Sequence, residues 1–173
     1  FYVGYTLQDQ AYLRIVNTTS PGLATTEDYF DADKINFMTA AGNFLIMHVD
    51  MTGGKAIRSY STDAAALLDQ EITGTTTIDN CCDIWTKAVY DSAIGRMYYT
   101  TAKGLFALDI DPGTGAFSGP NGGNALQSTA GYVNVSTEGN MALSDDGSLL
   151  FVSGIVFNTI DLSYYDVIGN DAT

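Results

Sequence analysis

Positive charge is scarce in this chain. Seven Lys and Arg stand against twenty Asp and Glu, for a formal net charge of −13. Such a surface repels phosphate backbones and anionic head groups, so nucleic acid and membrane surfaces are not expected partners. No apolar run approaches the roughly 20 residues a membrane-spanning helix needs. A single His and two Cys leave no third Cys and no His pair for a zinc site, so no metal ligand set is expected. There is no Gly-x-Ser-x-Gly elbow, and one His serves only one role, so no nucleophilic triad is expected. Phosphate loops and dinucleotide fingerprints are missing as well: Gly119-Pro-Asn-Gly-Gly-Asn124 is a turn-rich loop, not a strand-to-helix junction. No catalytic residue is assigned. Acid–base work by carboxylates stays open, because twenty of them give many possible pairs and sequence does not say which meet.

What is present points to strands. Hydrophobic residues reach 46% while charged residues reach only 16%, and Gly, Ser, Thr and Asn are plentiful. That balance favours short strands joined by tight polar turns over charged amphipathic helices. Only Ala64-Ala-Ala-Leu-Leu68 is helix-prone, with room for a turn or two.

Three segments repeat one pattern: Ile35 to Gly42, Ala88 to Gly95 and Asn140 to Gly147. Each is an alternating apolar stretch that runs into a polar turn ending in Gly, and the turn glycines lie 53 and 52 residues apart. A hydrophobic strand follows each turn: Phe44 to Val49, Met97 to Thr101, and Leu149 to Val152. Third strands are expected at Lys55 to Tyr60, Leu105 to Ile110, and Thr159 to Tyr165. In the middle repeat Asp111-Pro-Gly-Thr-Gly115 presets a turn into a fourth strand near Ala116 to Ser118. Phe1 to Thr6 and Ala11 to Val16 fit a second and third strand whose first is missing. Four antiparallel strands per fifty residues make one propeller blade.

The expected fold is therefore all-β, with β-propeller blades in an incomplete ring and strand counts of three, four, four and three. Its parts are a partial blade over 1–34, blades over 35–79 and 80–127, and a partial blade over 128–173. A β-sandwich with evenly spaced strands is the alternative. Open blades at both ends leave unpaired edges, so further blades, a protein partner or an oligomer are expected to cover them. A chain opening on Phe1, without Met or a signal-peptide pattern, is expected to begin at a processed or excised end.

Asp91-Ser-Ala-Ile-Gly-Arg-Met-Tyr-Tyr99, Leu105 to Gly115 and Leu143-Ser-Asp-Asp-Gly-Ser-Leu-Leu-Phe-Val152 resemble blades of the YVTN/lactonase-like β-propellers. The resemblance covers about Ile35 to Tyr165. It implies a fold more than a chemistry, since such turns serve lactonases, quinoprotein-like enzymes and pure binding modules alike. Members of that group usually close with about seven blades, about twice what this chain supplies.

Ligands of propellers bind on loops beside the axis, at the face carrying the second-to-third and fourth-to-first connections. That reasoning places Asp79 to Trp85, Asp50 to Gly54, Thr101 to Gly104 and Gly154 to Asn158 on one face, and the turns at Asp145-Asp146-Gly147 and Asp111 to Gly115 on the other. Candidate binding residues are Cys81, Cys82, Trp85, Lys103 and Tyr132. Adjacent Cys81 and Cys82 either close a strained vicinal disulfide, as some quinoprotein propellers carry, or form structural bridges; the structural role is preferred. Trp85, Tyr98, Tyr99 and Tyr132 suit sugar stacking or, preferably, blade packing. His48 lies in an apolar strand and reads as a core residue. No cofactor is expected; Asp109 and Asp111 alternate as two carboxylates sharing Ca²⁺ would, but the remaining ligand spacing is missing, and a solvated strand end is preferred. Sequons at Asn17 and Asn134, beside the cysteines and a scarcity of Lys, point to glycosylation and an extracellular location. The leading expectation is a non-catalytic extracellular module with a structural, protein-binding or glycan-binding role. A fragment of a lactonase-like or quinoprotein-like enzyme is the alternative.

Overall fold

The computed structural model describes residues 2–8, 10–16, 25–29, 33–51, 54–61, 70–71, 88–101, 104–119, 125–128 and 140–168. They form four antiparallel sheets and, among the described residues, no helix. The first sheet runs β1 (Tyr2–Leu7), β2 (Gln10–Val16), β3 (Thr25–Tyr29) in that order. The second runs β4 (Lys34–Ala41), β5 (Phe44–Met51), β6 (Gly54–Ser61), β7 (Gln70–Glu71). The third holds β8 (Ala88–Asp91), β9 (Arg96–Thr101) and β10 (Gly104–Ile110). Its fourth strand comes in two pieces, β11 (Phe117–Ser118) and β12 (Leu126–Gln127), both paired to β10. The fourth sheet runs β13 (Met141–Leu143), β14 (Leu149–Val152), β15 (Ile155–Asn158), β16 (Tyr164–Val167).

The last sheet departs from expectation. Its third strand is Ile155–Asn158, not Thr159 to Tyr165, and a fourth strand follows, so it has four strands where three are expected. The reason is the two-residue turn at Ser153 and Gly154, both at positive φ (51° and 86°), which returns the chain at once into a strand. Gly154 to Asn158 is therefore not a loop. Thr159 to Ser163 is instead the turn into β16, with the Leu162 amide donating to the Asn158 carbonyl.

Strand alternation gives each inner sheet two apolar faces, and consecutive sheets stack on them. Ala11 and Leu13 of the first sheet pack with Leu45, Met47, Val49 and Tyr60 of the second. The other face of the second sheet, with Phe44, Ile46 and Ile57, meets Met97, Tyr99, Phe106, Leu108 and Ile110 of the third. The third sheet then turns Tyr98, Leu105 and Ala107 to Leu150, Val152, Phe157 and Leu162 of the fourth. A two-sheet sandwich has one such core; this serial stack has three. Phe44 and Met97, matched by counting from the turn glycines, face each other across one interface. The slip arises because two residues separate the paired Ala41 and Phe44, while four separate Asp91 and Arg96.

Turn glycines key the third and fourth sheets to their predecessors. Gly115 is buried at φ +71°, and a Cβ there would come within 2.5 Å of both Phe44 and the Ser59 hydroxyl. Gly147, at φ +70°, approaches Asp91 of the preceding sheet in the same way. The Ser128 hydroxyl donates to the Leu162 carbonyl (2.6 Å), and the Tyr98 hydroxyl donates to the Thr159 carbonyl (3.3 Å).

Candidate functional site

The first strands β4, β8 and β13 lie next to one another and so line the inner side of the stack. The sheet order puts the second-to-third turns at one end, the upper face, and the first-to-second and third-to-fourth turns at the other. At the upper, inner corner of the second sheet a β-bulge between Ile35 and Phe37 leaves Asn36 outside the ladder. Bulges re-aim a side chain, and here the Asn36 amide donates to Asp50 Oδ1 at 2.7 Å. The Asp33 amide donates to the Asp50 carbonyl at 2.7 Å, which fixes the end of β5. Both Asn36 and Asp50 are half-buried. An amide beside a carboxylate offers donors and acceptors for hydroxyl or amide groups of a ligand. Asp50 falls in a loop expected on this face, whereas Asn36 gives no sign in sequence, because a bulge inside an alternating strand leaves no compositional mark.

The lower-face turns consume their own carboxylates. Asp146 Oδ1 accepts from the hydroxyls of Ser144 (2.6 Å) and Ser148 (2.8 Å) and from the Ser148 amide (3.0 Å). Those bonds favour the ionised form and lower its pKa to about 2, the Ser144 hydroxyl contributing most. Asp111 Oδ1 accepts from the Thr114 hydroxyl and amide and the Gly113 amide, which lowers its pKa, Thr114 first. Asp161 is lowered likewise by Ser163.

Asp109 and Asp111 do not act together. Asp109 pairs directly across the ladder with Arg96, whose Nε lies 2.6 Å away, and that bond is the main cause raising the Arg96 pKa. Asp111 lies beyond the strand end and caps its own turn. Among the described residues no three His, Cys, Asp or Glu side chains group as a metal site. His48 is fully buried, 5.9 Å from the Phe37 ring, as a core residue. Tyr98 and Tyr99 are fully buried between sheets, so they pack blades and offer no stacking surface to a sugar. Burial is the main cause raising the Tyr98 pKa. Cys81, Cys82, Trp85, Lys103, Tyr132, Asn17, Asn134 and the helix-prone 64–68 lie outside the described residues. No helix among the described residues is long and apolar enough to cross a membrane.

No family model matches the chain, and no curated protein matches it. Among solved structures, it is similar to a Bacteroides uniformis protein described as a "putative 6-phosphogluconolactonase", with a TM-score of 0.60 and 14% identity. The match covers 96% of this chain and 52% of that one. At that identity the likeness concerns the fold: the described residues form an all-β stack of four antiparallel sheets, one of three strands, consistent with blades of an incomplete ring, and the chain spans about half the length of its structural neighbour.

Proposed function

We propose that the chain is a non-catalytic, extracellular β-propeller module that binds a protein or a glycan at its upper face, its ring completed by further blades or partner subunits. One observation carries the reading: the described carboxylates with depressed pKa values are spent on the turns that carry them. Asp109 is likewise engaged by Arg96, and the buried His48 lies inside an apolar strand. The Asn36–Asp50 pair suits recognition by hydrogen bonding. The sequons at Asn17 and Asn134, with Cys81 and Cys82, support the extracellular location. Cys81, Cys82, Trp85, Lys103 and Tyr132 complete the proposed binding face.

A second reading, a fragment of a lactonase-like enzyme, is favoured by the neighbour's description. Lactone hydrolysis separates the two. Under the first reading, a panel of sugar δ-lactones followed in a pH-stat shows no saturable rate above the buffer, while a glycan array or a pull-down gives binding that Asp50→Ala weakens. A saturable hydrolysis rate assigns the enzyme reading instead.

A further inference from the structure

Because positive charge is so scarce, where it sits carries information. Three of the seven cations are arginines, and the other four are Lys34, Lys55, Lys87 and Lys103. Lys34 and Lys55 stand in one row of the second sheet. Lys34 of β4 pairs with Asp50 of β5, and Asp50 pairs in turn with Lys55 of β6. Strands lie about 4.8 Å apart, so the two lysine backbones flank Asp50 at about 10 Å from each other. The row lies at the upper face, next to the Met51–Gly54 pair that closes the turn. Lys34 is exposed there, and the bulge brings the Asn36 amide to Asp50 Oδ1. Along the sequence, Lys87 directly precedes Ala88, and Lys103 stands between the paired Thr101 and Gly104. The opposite end differs. Asp111, Asp145, Asp146 and Asp161 are exposed in lower-face turns that contain no Lys or Arg. In the upper row Asp50 and the exposed Asp33 are matched by Lys34 and Lys55, so the excess negative charge is cancelled locally.

We propose that this row, Lys34–Asp50–Lys55 with Asn36, binds a carboxylated sugar, a uronate-type unit of a glycan. The proposal rests on the reading of the upper face as a glycan-binding surface and names the chemistry of that glycan. A lysine ammonium is a compact point charge that pairs with a carboxylate, and such charge-assisted bonds are roughly twice as strong as neutral ones. The Asn36–Asp50 pair supplies donors and acceptors for the sugar hydroxyls beside that carboxylate. The field of the chain discriminates among anions. At a net charge of −13, a dianionic phosphate meets about twice the repulsion that a monoanionic carboxylate meets. An acidic peptide shares the carboxylate but brings no ring of hydroxyls to Asn36 and Asp50, so the sugar is favoured.

Calorimetric titration of the purified chain compares oligogalacturonate and oligoglucuronate with their methyl esters at one fixed salt concentration. At least one acid form is expected to bind about tenfold tighter than its ester, the scale of a single charge-assisted hydrogen bond. Lys34→Gln and Lys55→Gln are each expected to cut that preference by at least about threefold while leaving the affinity for the ester unchanged. Asp50→Ala weakens acid and ester together. Arg14→Gln removes the same charge from the exposed surface of the first sheet and leaves the preference intact. Far-UV circular dichroism confirms that each variant is folded; should one lysine variant unfold, the other tests the same row. Equal affinity for acid and ester, or a preference that survives both lysine changes, overturns the inference. So does a preference lost equally in Arg14→Gln, or an oligoglutamate that binds as tightly as the oligouronate. Ester and acid binding alike leaves the glycan reading standing while this one fails. Binding of neither form also overturns it, and the glycan array and pull-down then judge the proposed function separately.

Discussion

Asp146 draws its character from three hydrogen bonds inside a five-residue turn, with no burial at all. A carboxylate depressed in the folded chain stabilises it above the ordinary carboxylate range, and that contribution is lost as pH falls toward the folded value near 2. A ¹³C titration of the Asp146 carboxyl is expected to show its midpoint near 2 in the native chain. It should move up toward 3.8 in Ser144→Ala, because the Ser144 hydroxyl is the largest cause. An unmoved midpoint would remove the turn hydrogen bonds as its origin. Gly115 sits at the other extreme, buried and crowded. Gly115→Ala sets a methyl against Phe44 and Ser59 at a positive φ, with an expected cost of about 2–4 kcal/mol from overpacking and left-handed strain together. Chemical denaturation measures it, and a loss below about 1 kcal/mol would mean the contact relaxes freely.

Strand assignment in the last sheet can be tested by two changes three residues apart. Phe157 is fully buried in β15, whereas Ile160 is 84% exposed in the following turn. Phe157→Ala is expected to cost about 3–5 kcal/mol, and Ile160→Ser to stay within about 0.5 kcal/mol; the reverse order of midpoints would restore the strand at Thr159 to Tyr165. Sequence favoured that longer strand for a physical reason: Thr159-Ile-Asp-Leu-Ser-Tyr-Tyr165 alternates and carries β-branched and aromatic residues. What decides against it is Leu162 at φ 55°, a conformation that composition does not announce. The glycine turns and second strands were legible, because turn residues with a required φ and apolar runs are local signals. Facing was not: the offset between Phe44 and Met97 depends on how many residues each turn spans, which only the ladder reveals. The candidate site suffered most, since Asn36 reaches Asp50 through a bulge fourteen residues away in sequence.

At the scale of the molecule, charge and apolar contact pull in opposite directions. The chain carries a formal charge of −13, so its compact state is opposed by like-charge repulsion that salt screens. The screening length falls from about 30 Å at 0.01 M salt to about 8 Å at 0.15 M. Adding salt is therefore expected to raise the melting temperature of the chain by relieving self-repulsion. A fold held mainly by ion pairs such as Arg96–Asp109 would respond in the other direction, weakening as those pairs are screened. Thermal melts at the two salt concentrations separate the cases. A melting temperature that falls with added salt would mean that ion pairs, not the apolar packing between consecutive sheets, dominate the stability of the stack.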